Sequence, residues 1–287
     1  MSNKTKTYAG IPEEYHEYAN SKVVLQPVIY DGTSTWGKGA NRGPAAFLEA
    51  SENMELFDIP TRSEVWKQGI HLASELKGFD RPDQMVEAVY SQVKKYLIDE
   101  KLVTLFGGEH SVSIGSMRAV GELDPDITFV QIDAHADLRP AYEGTPYNHA
   151  CAMSEISRSH PILQVGIRSM DVSEWPLMDH ERVYFMHEIR EQSDWMSHAV
   201  KQCTDKIYIT VDLDAFDSSL MPATGTPEPG GFYYYEVLDF ISQLARHKDV
   251  IGFDIVELAP QSNSRAADFL AAKLYYQMLS QIFHHKS

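Results

Sequence analysis

The run Ile127-Thr128-Phe129-Val130-Gln131-Ile132 is β-branched and aromatic, bounded upstream by Asp124-Pro125-Asp126, and it reads as a buried strand. Residues 102–106, 163–167, 183–185, 207–211 and 250–255 have the same character, and residues 23–30 open the series. Between these runs the apolar spacing becomes helical. Met85, Val86, Val89, Val93 and Leu97 mark a helix over 82–98, and further helices are predicted over 44–52, 113–120, 195–203, 233–246 and 265–283. With a short candidate at 54–57, eight strands alternate with helices. Apolar strands interleaved with helices predict an α/β fold with a mainly parallel sheet covered on both faces. No linker, low-complexity segment or repeat divides the 287 residues, so one domain is expected.

The strand ends carry the chemistry. Residues 127–132 run directly into Asp133-Ala134-His135-Ala136-Asp137. Alternate side chains of an extended chain point the same way, so Asp133, His135 and Asp137 can converge. Asp212-Leu213-Asp214-Ala215-Phe216-Asp217 follows the next such run, and Gly107-Gly108-Glu109-His110-Ser111 follows residues 102–106. In open α/β sheets, ligands bind outside the carboxyl ends of strands. Aspartate alone often closes a strand as a turn residue; three boxes, each directly after a strand, argue for a site. The candidate ligands are His110, Asp133, His135, Asp137, Asp212 and Asp214. Four carboxylates brought together at a partly buried point repel one another unless cations separate them. Two divalent ions would do so. Oxygen-rich ligation without thiolate leans towards Mn(II) or Mg(II), and the histidines keep Zn(II), Fe(II) and Co(II) open. Such a centre makes hydroxide near neutral pH beside a held electrophile, which is metal-assisted hydrolysis.

Composition excludes several alternatives. With 41 acidic against 25 basic residues the formal charge is -16, the wrong sign for nucleic acid and compatible with a small cationic substrate. No run approaches the ~20 apolar residues of a membrane span. Residues 1–10 are polar and lack the apolar core of a signal peptide. Cys151 and Cys203 are the only cysteines, which suggests a reducing, cytoplasmic setting.

Taken in order, the Gly-Gly-Glu-His-Ser, Asp-Ala-His-Ala-Asp and Asp-Leu-Asp-Ala-Phe-Asp boxes resemble the three signatures of the arginase/agmatinase (ureohydrolase) family. Gly225-Thr226-Pro227-Glu228-Pro229-Gly230-Gly231 and Asp254-Ile255-Val256-Glu257-Leu258-Ala259-Pro260 match as well, so the resemblance runs from about Asp31 to the C-terminus. It implies a three-layer α/β/α sandwich around an eight-stranded sheet, and a centre of two Mn(II) ions that hydrolyses guanidino groups to urea. By motif, His110 and Asp137 would be terminal ligands of one ion and His135 and Asp214 of the other, with Asp133 and Asp212 bridging. A bridging hydroxide would attack the guanidinium carbon. Glu257 matches the family glutamate that pairs with the guanidinium, and His149 the rim histidine that passes a proton to the leaving amine. Family members assemble as trimers or hexamers, so a homotrimer or homohexamer is expected.

The substrate is read from the loop Leu138-Arg139-Pro140-Ala141-Tyr142-Glu143-Gly144-Thr145-Pro146-Tyr147-Asn148-His149-Ala150-Cys151. It is similar to bacterial agmatinases and lacks the Ser/Thr/Asn-rich loop with which arginases bind an amino-acid end. Agmatine, giving putrescine and urea, is therefore the expected substrate, with Glu143 or a backbone carbonyl meeting its ammonium. A guanidinobutyrase or an arginase is the alternative; a guanidino acid would need a rim cation such as Arg139 or Arg168. A non-catalytic metal-binding relative would be expected to lack a ligand or Glu257, and all are present. Cys151 is read as a packing residue, and Tyr233-Tyr234-Tyr235 as a helix start packed on the sheet.

Overall fold

Successive residues of each strand face opposite apolar layers, which is why the strands read as unbroken hydrophobic runs. Val130, Ile132, Ile207, Ile209 and Val211 pack into one layer, while Phe129 and Tyr208 pack into the other. The computed structural model describes residues 7–286 and contains eight parallel strands in one sheet. They are β1 (Val23–Pro27), β2 (Ile70–Leu72), β3 (Leu102–Phe106), β4 (Thr128–Ile132), β5 (Ile162–Ile167), β6 (Val183–Phe185), β7 (Lys206–Asp212) and β8 (Asp249–Val256). Part of the polar N-terminal stretch, residues 1–6, lies outside the described residues.

The helices are α1 (Gly43–Ser51), α2 (Pro82–Ile98), α3 (Val112–Leu123), α4 (Met186–Ile189), α5 (Trp195–Gln202), α6 (Tyr234–His247) and α7 (Ala266–His285). Helices α1, α5, α6 and α7 bury their apolar sides in one layer, and α2 and α3 in the other. The result is an α/β/α sandwich. In the first layer Phe47 of α1 stacks on Phe106 of β3 with centroids 3.9 Å apart, a pair worth ~0.5–1.5 kcal/mol beyond its area. Pro82 opens α2 because its missing N–H would be unsatisfied in the first turn anyway. No helix of the described residues is long and apolar enough to cross a membrane.

Seven of the eight expected strands are present. The expected strand over 54–57 is not, and the edge strand is Ile70–Leu72 instead. Met54 is buried and Phe57 exposed, but this segment has no strand beside it. Its carbonyls are met by α7: Lys273 Nζ donates to Glu55 O at 3.2 Å and the Tyr276 hydroxyl to Leu56 O.

The sheet order is β2-β1-β3-β8-β7-β4-β5-β6. Phe106 pairs with Ile255, Ile255 with Val211, and Val211 with Ile132, so four central strands end level. The three ligand boxes and Glu257 therefore emerge side by side from β3, β8, β7 and β4. Gly108 makes the approach of β3 to the β1 loop possible: a Cβ there would lie 1.7 Å from Tyr30 O.

Candidate active site

At the end of β3, the His110 ring stands with Nδ1 facing three carboxylates. Asp133 Oδ2 is 3.1 Å away, Asp137 Oδ2 3.0 Å and Asp212 Oδ2 3.2 Å. All four residues are buried. The other ring nitrogen, Nε2, lies 2.9 Å from Thr210 Oγ1. That hydroxyl donates its one hydrogen to Asp254 Oδ1 at 2.6 Å, so it accepts from His110 Nε2–H. Nδ1 therefore presents a lone pair to three carboxylates, and it is a buried nitrogen without a hydrogen-bond partner. Only a cation makes such a cluster favourable. In the metal-free protein a proton takes that place: burial opposes charge on His110, but Asp133, Asp137 and Asp212 outweigh it and hold the ring well above its ordinary pKa. The donor set fits a divalent ion in its place.

A second group adjoins the first. His135 Nδ1 lies 2.9 Å from Asp214 Oδ2 and 3.8 Å from Asp133 Oδ1. His110, Asp133 and Asp212 form one triplet that could hold an ion; Asp133, His135 and Asp214 form the other. Asp133 belongs to both, through different oxygens. Asp212 faces the first group, and its Oδ1 accepts the Asp214 N–H at 2.8 Å. Burial opposes charge on His135, yet Asp214 pushes it up to about 11. Burial, then Asp133, raises Asp137 to about 7. Asp214 moves the other way, to about 2, because His135 outweighs its burial.

The support beneath the ligands is built from polar groups the sheet buries. Asp254 on β8 accepts from Thr210 Oγ1, from Ser113 Oγ at 2.9 Å and from Tyr208 OH at 2.8 Å. Gln131 Nε2 donates to Asp133 Oδ2 at 2.8 Å and is followed by Gln164, whose Nε2 donates to Gln131 Oε1 at 2.6 Å. These partners fix the orientation of ligands that would otherwise rotate. Asp137 and Glu257 both have positive φ, 52° and 69°, a conformation that non-glycine residues hold where the surroundings impose it.

Above the clusters lies a cavity of about 330 Å³. His110, His135, Asp137, Asp212, Asp214, His149 and Glu257 all line it, so the structure brings the expected site residues together, with Asp133 buried beneath. Burial, then Glu109, raises Glu257 well above the usual carboxyl range. Burial lowers His149 to about 4, so its ring is neutral. The outer wall adds Arg139, Tyr142, Asp171, Glu174 and Glu228.

Two rim expectations change. Glu143 is exposed at the tip of the Tyr142–Thr145 turn and does not line the cavity. Arg168 is committed elsewhere: its guanidinium donates to the carbonyls of Gly166, Asp214, Ala215, Phe216, Glu228 and Pro229, and braces the loop after β7. Nothing local in the sequence marks Asp171 and Glu174, whereas Glu228 lies inside the Thr-Pro-Glu-Pro-Gly-Gly motif, which does not by itself say that the side chain faces the cavity.

The arginase family model matches residues 21–280. The chain belongs to the arginase family. It is 36% identical to the N(1)-aminopropylagmatine ureohydrolase of Synechocystis over 279 residues, covering 93% of this chain and 91% of that protein. The Thermus thermophilus protein of the same name is 34% identical over 266 residues, covering 91% and 90%. Among solved structures, the agmatine ureohydrolase of Thermoplasma volcanium superposes with a TM-score of 0.89 at 27% identity, covering 99% of this chain and 96% of that one. The family match accords with the eight-stranded sheet and with paired donor groups at its carboxyl edge.

Proposed function

We propose that this chain is a two-metal amidinohydrolase that converts an ω-aminoalkylguanidine into urea and a polyamine. The carrying observation is the pair of donor groups that share Asp133 beneath a cavity with an acidic wall. His110, Asp137 and Asp212 would hold one ion, His135 and Asp214 the second, and Asp133 both; Mn(II) is the ion proposed for each. Bound there, the ions supply Lewis acidity that activates water as a nucleophile near neutral pH.

The chain's own residues supply the rest. Glu257 holds the guanidinium by a charge-assisted hydrogen bond and turns its carbon towards the donor clusters. That cation, with the metal ions, keeps the carboxyl ionised against its burial. Neutral His149 carries a proton to the leaving nitrogen. The acidic wall receives the trailing cation, and its sign excludes a trailing carboxylate except beside Arg139. Arg139 is held against the Tyr142 ring at 4.5 Å and stands 3.5 Å from Glu174 Oε2.

Within this class, the substrate extended by an aminopropyl group is the first choice. Its two trailing cations match two wall carboxylates, Asp171 and Glu228, each with an oxygen free of hydrogen bonds. Both oxygens of Glu174 already accept backbone N–H groups. The names of the Synechocystis and Thermus relatives support the same choice. Agmatine, giving putrescine, is the second reading, supported by the Thermoplasma structure. Urea release by the Mn(II)-loaded protein from N(1)-aminopropylagmatine, agmatine, guanidinobutyrate and arginine separates them, with Asp214→Asn as control. The class stands if either amine-terminated substrate has at least tenfold higher kcat/KM than the two acids and the control is inactive.

A further inference from the structure

Three residues from three separate loops meet at one side of the cavity. Thr33 follows β1, Glu109 follows β3 and His149 follows β4. Glu109 is fully buried and receives four hydrogen bonds: from Thr33 N–H at 3.2 Å, Thr33 Oγ1 at 2.7 Å, Ser111 N–H at 2.8 Å and Ser111 Oγ at 2.9 Å. A carboxylate with four donors is an acceptor only. The single hydroxyl hydrogen of Thr33 therefore points at Glu109, and its lone pairs face the other way. There they meet His149 twice, the backbone N–H at 3.0 Å and ring Nδ1 at 3.4 Å. A lone pair is met favourably by an N–H, so Nδ1 carries the ring hydrogen and Nε2 is left with its lone pair. The arrangement repeats Asp254–Thr210–His110, in which a buried carboxylate takes the threonine hydrogen and thereby selects the histidine tautomer. In that case Nε2 carries the hydrogen and Nδ1 faces the metal donors.

We propose that Glu109 and Thr33 are positioning residues that hold His149 as its Nδ1–H tautomer, so that Nε2 is the atom that exchanges protons with the substrate. The inference rests on the hydrolase reading above. Hydrolysis of a guanidinium places the water oxygen on carbon and both water hydrogens on the departing nitrogen. Nε2 takes one of those hydrogens and releases it to that nitrogen as the C–N bond breaks; the imidazole starts and ends neutral. The opposite tautomer would present Nε2–H, which cannot accept a proton.

The test uses the full chain with Thr33→Val, which keeps the shape and removes the hydroxyl, and Thr33→Ser, which keeps the hydroxyl. In the Mn(II)-loaded enzyme Thr33→Val is expected to lower kcat about 30-fold with KM changed less than about threefold, and Thr33→Ser to recover most of the loss. In the 15N-histidine-labelled, diamagnetic Zn(II)-loaded chain, with His149 assigned from His149→Gln, Nδ1 gives a pyrrole-type and Nε2 a pyridine-type signal. Thr33→Val averages the two. An Nε2–H tautomer in the unsubstituted chain overturns the proposal whether or not urea is released, and so does a Thr33→Val chain with unchanged tautomer and kcat. An unsubstituted chain that shows the expected tautomer but hydrolyses no guanidine overturns the hydrolase reading and, with it, the role given to Nε2.

Discussion

Glu257, at the end of β8, accepts the backbone N–H of His110, at the end of β3, at 2.9 Å through Oε1. The residue proposed to hold the guanidinium is thereby tied to the backbone of a metal-donor residue, and substrate and ions are set in one frame. Glu257→Gln keeps an oxygen for that N–H and removes the charge. Metal content and melting temperature are expected to stay near those of the unsubstituted protein, while kcat/KM falls by about 10- to 100-fold, the worth of a charge-assisted over a neutral hydrogen bond. Equal loss of bound metal would show that the residue acts on the ions and not on the substrate.

Asp254 does not line the cavity above the donor groups, yet it sets the tautomer of His110 through Thr210. Asp254→Asn can still accept at one oxygen but brings an N–H₂ into a pocket built of donors. Metal affinity is expected to fall about 10- to 100-fold, as when the outer partners of ligands are altered. Titration of the chelator-stripped protein with Mn(II) measures it. An unchanged affinity would remove Asp254 from the account of the site.

Much of this was legible in the sequence. Six donor residues lie directly after strand-like runs, so their strands could be seen and the sheet's directionality did the rest. Glu257 and His149 were legible only by resemblance, because one glutamate after a strand and one loop histidine have no local mark. The relay of Thr33 and Glu109 was hidden for a different reason: it joins residues 76 and 116 positions apart through side chains. Strand β2 was missed because three residues at a sheet edge, two of them partly exposed, carry no periodic signal. Arg168 stands in the sequence as one of two candidates, with Arg139, for a rim cation, because sequence does not show the carbonyls that surround it.

The metal-free site should bind ions more tightly as pH rises. His135 and Asp137 are held protonated up to about 11 and about 7, and each proton must leave before the donor can bind. Calorimetry in buffers of differing ionisation enthalpy, between about pH 6 and pH 8, should count at least one released proton, and affinity should rise up to tenfold per pH unit per proton. The same shifts act on the stripped fold. Both groups have folded values above their unfolded ones, so their stabilisation is fully present below the unfolded values and is lost as pH rises through the folded ones. The chelated protein should therefore melt lower at pH 9 than at pH 6 by their share, and saturating Mn(II) should restore the difference. A pH-independent affinity would contradict the donor assignment.

Gly37 and Gly225 join the loop after β1 to the loop after β7, next to Thr35 and Thr226, which line the cavity. The Gly37 N–H donates to Gly225 O at 3.1 Å, and a Cβ at Gly37 would lie 2.7 Å from that oxygen. An alanine at 37 thus forces the two backbones apart, and one side is the loop that carries Thr33 and Thr35. The β-sheet and its two apolar layers do not pass through this contact. Gly37→Ala is therefore expected to leave the melting temperature of the metal-loaded protein within a few degrees while raising KM by at least about tenfold, because a displacement near 1 Å at a positioning loop is costly to a pre-organised site. Full activity in Gly37→Ala would mean that the loop moves freely during turnover and that the contact is not part of the substrate wall.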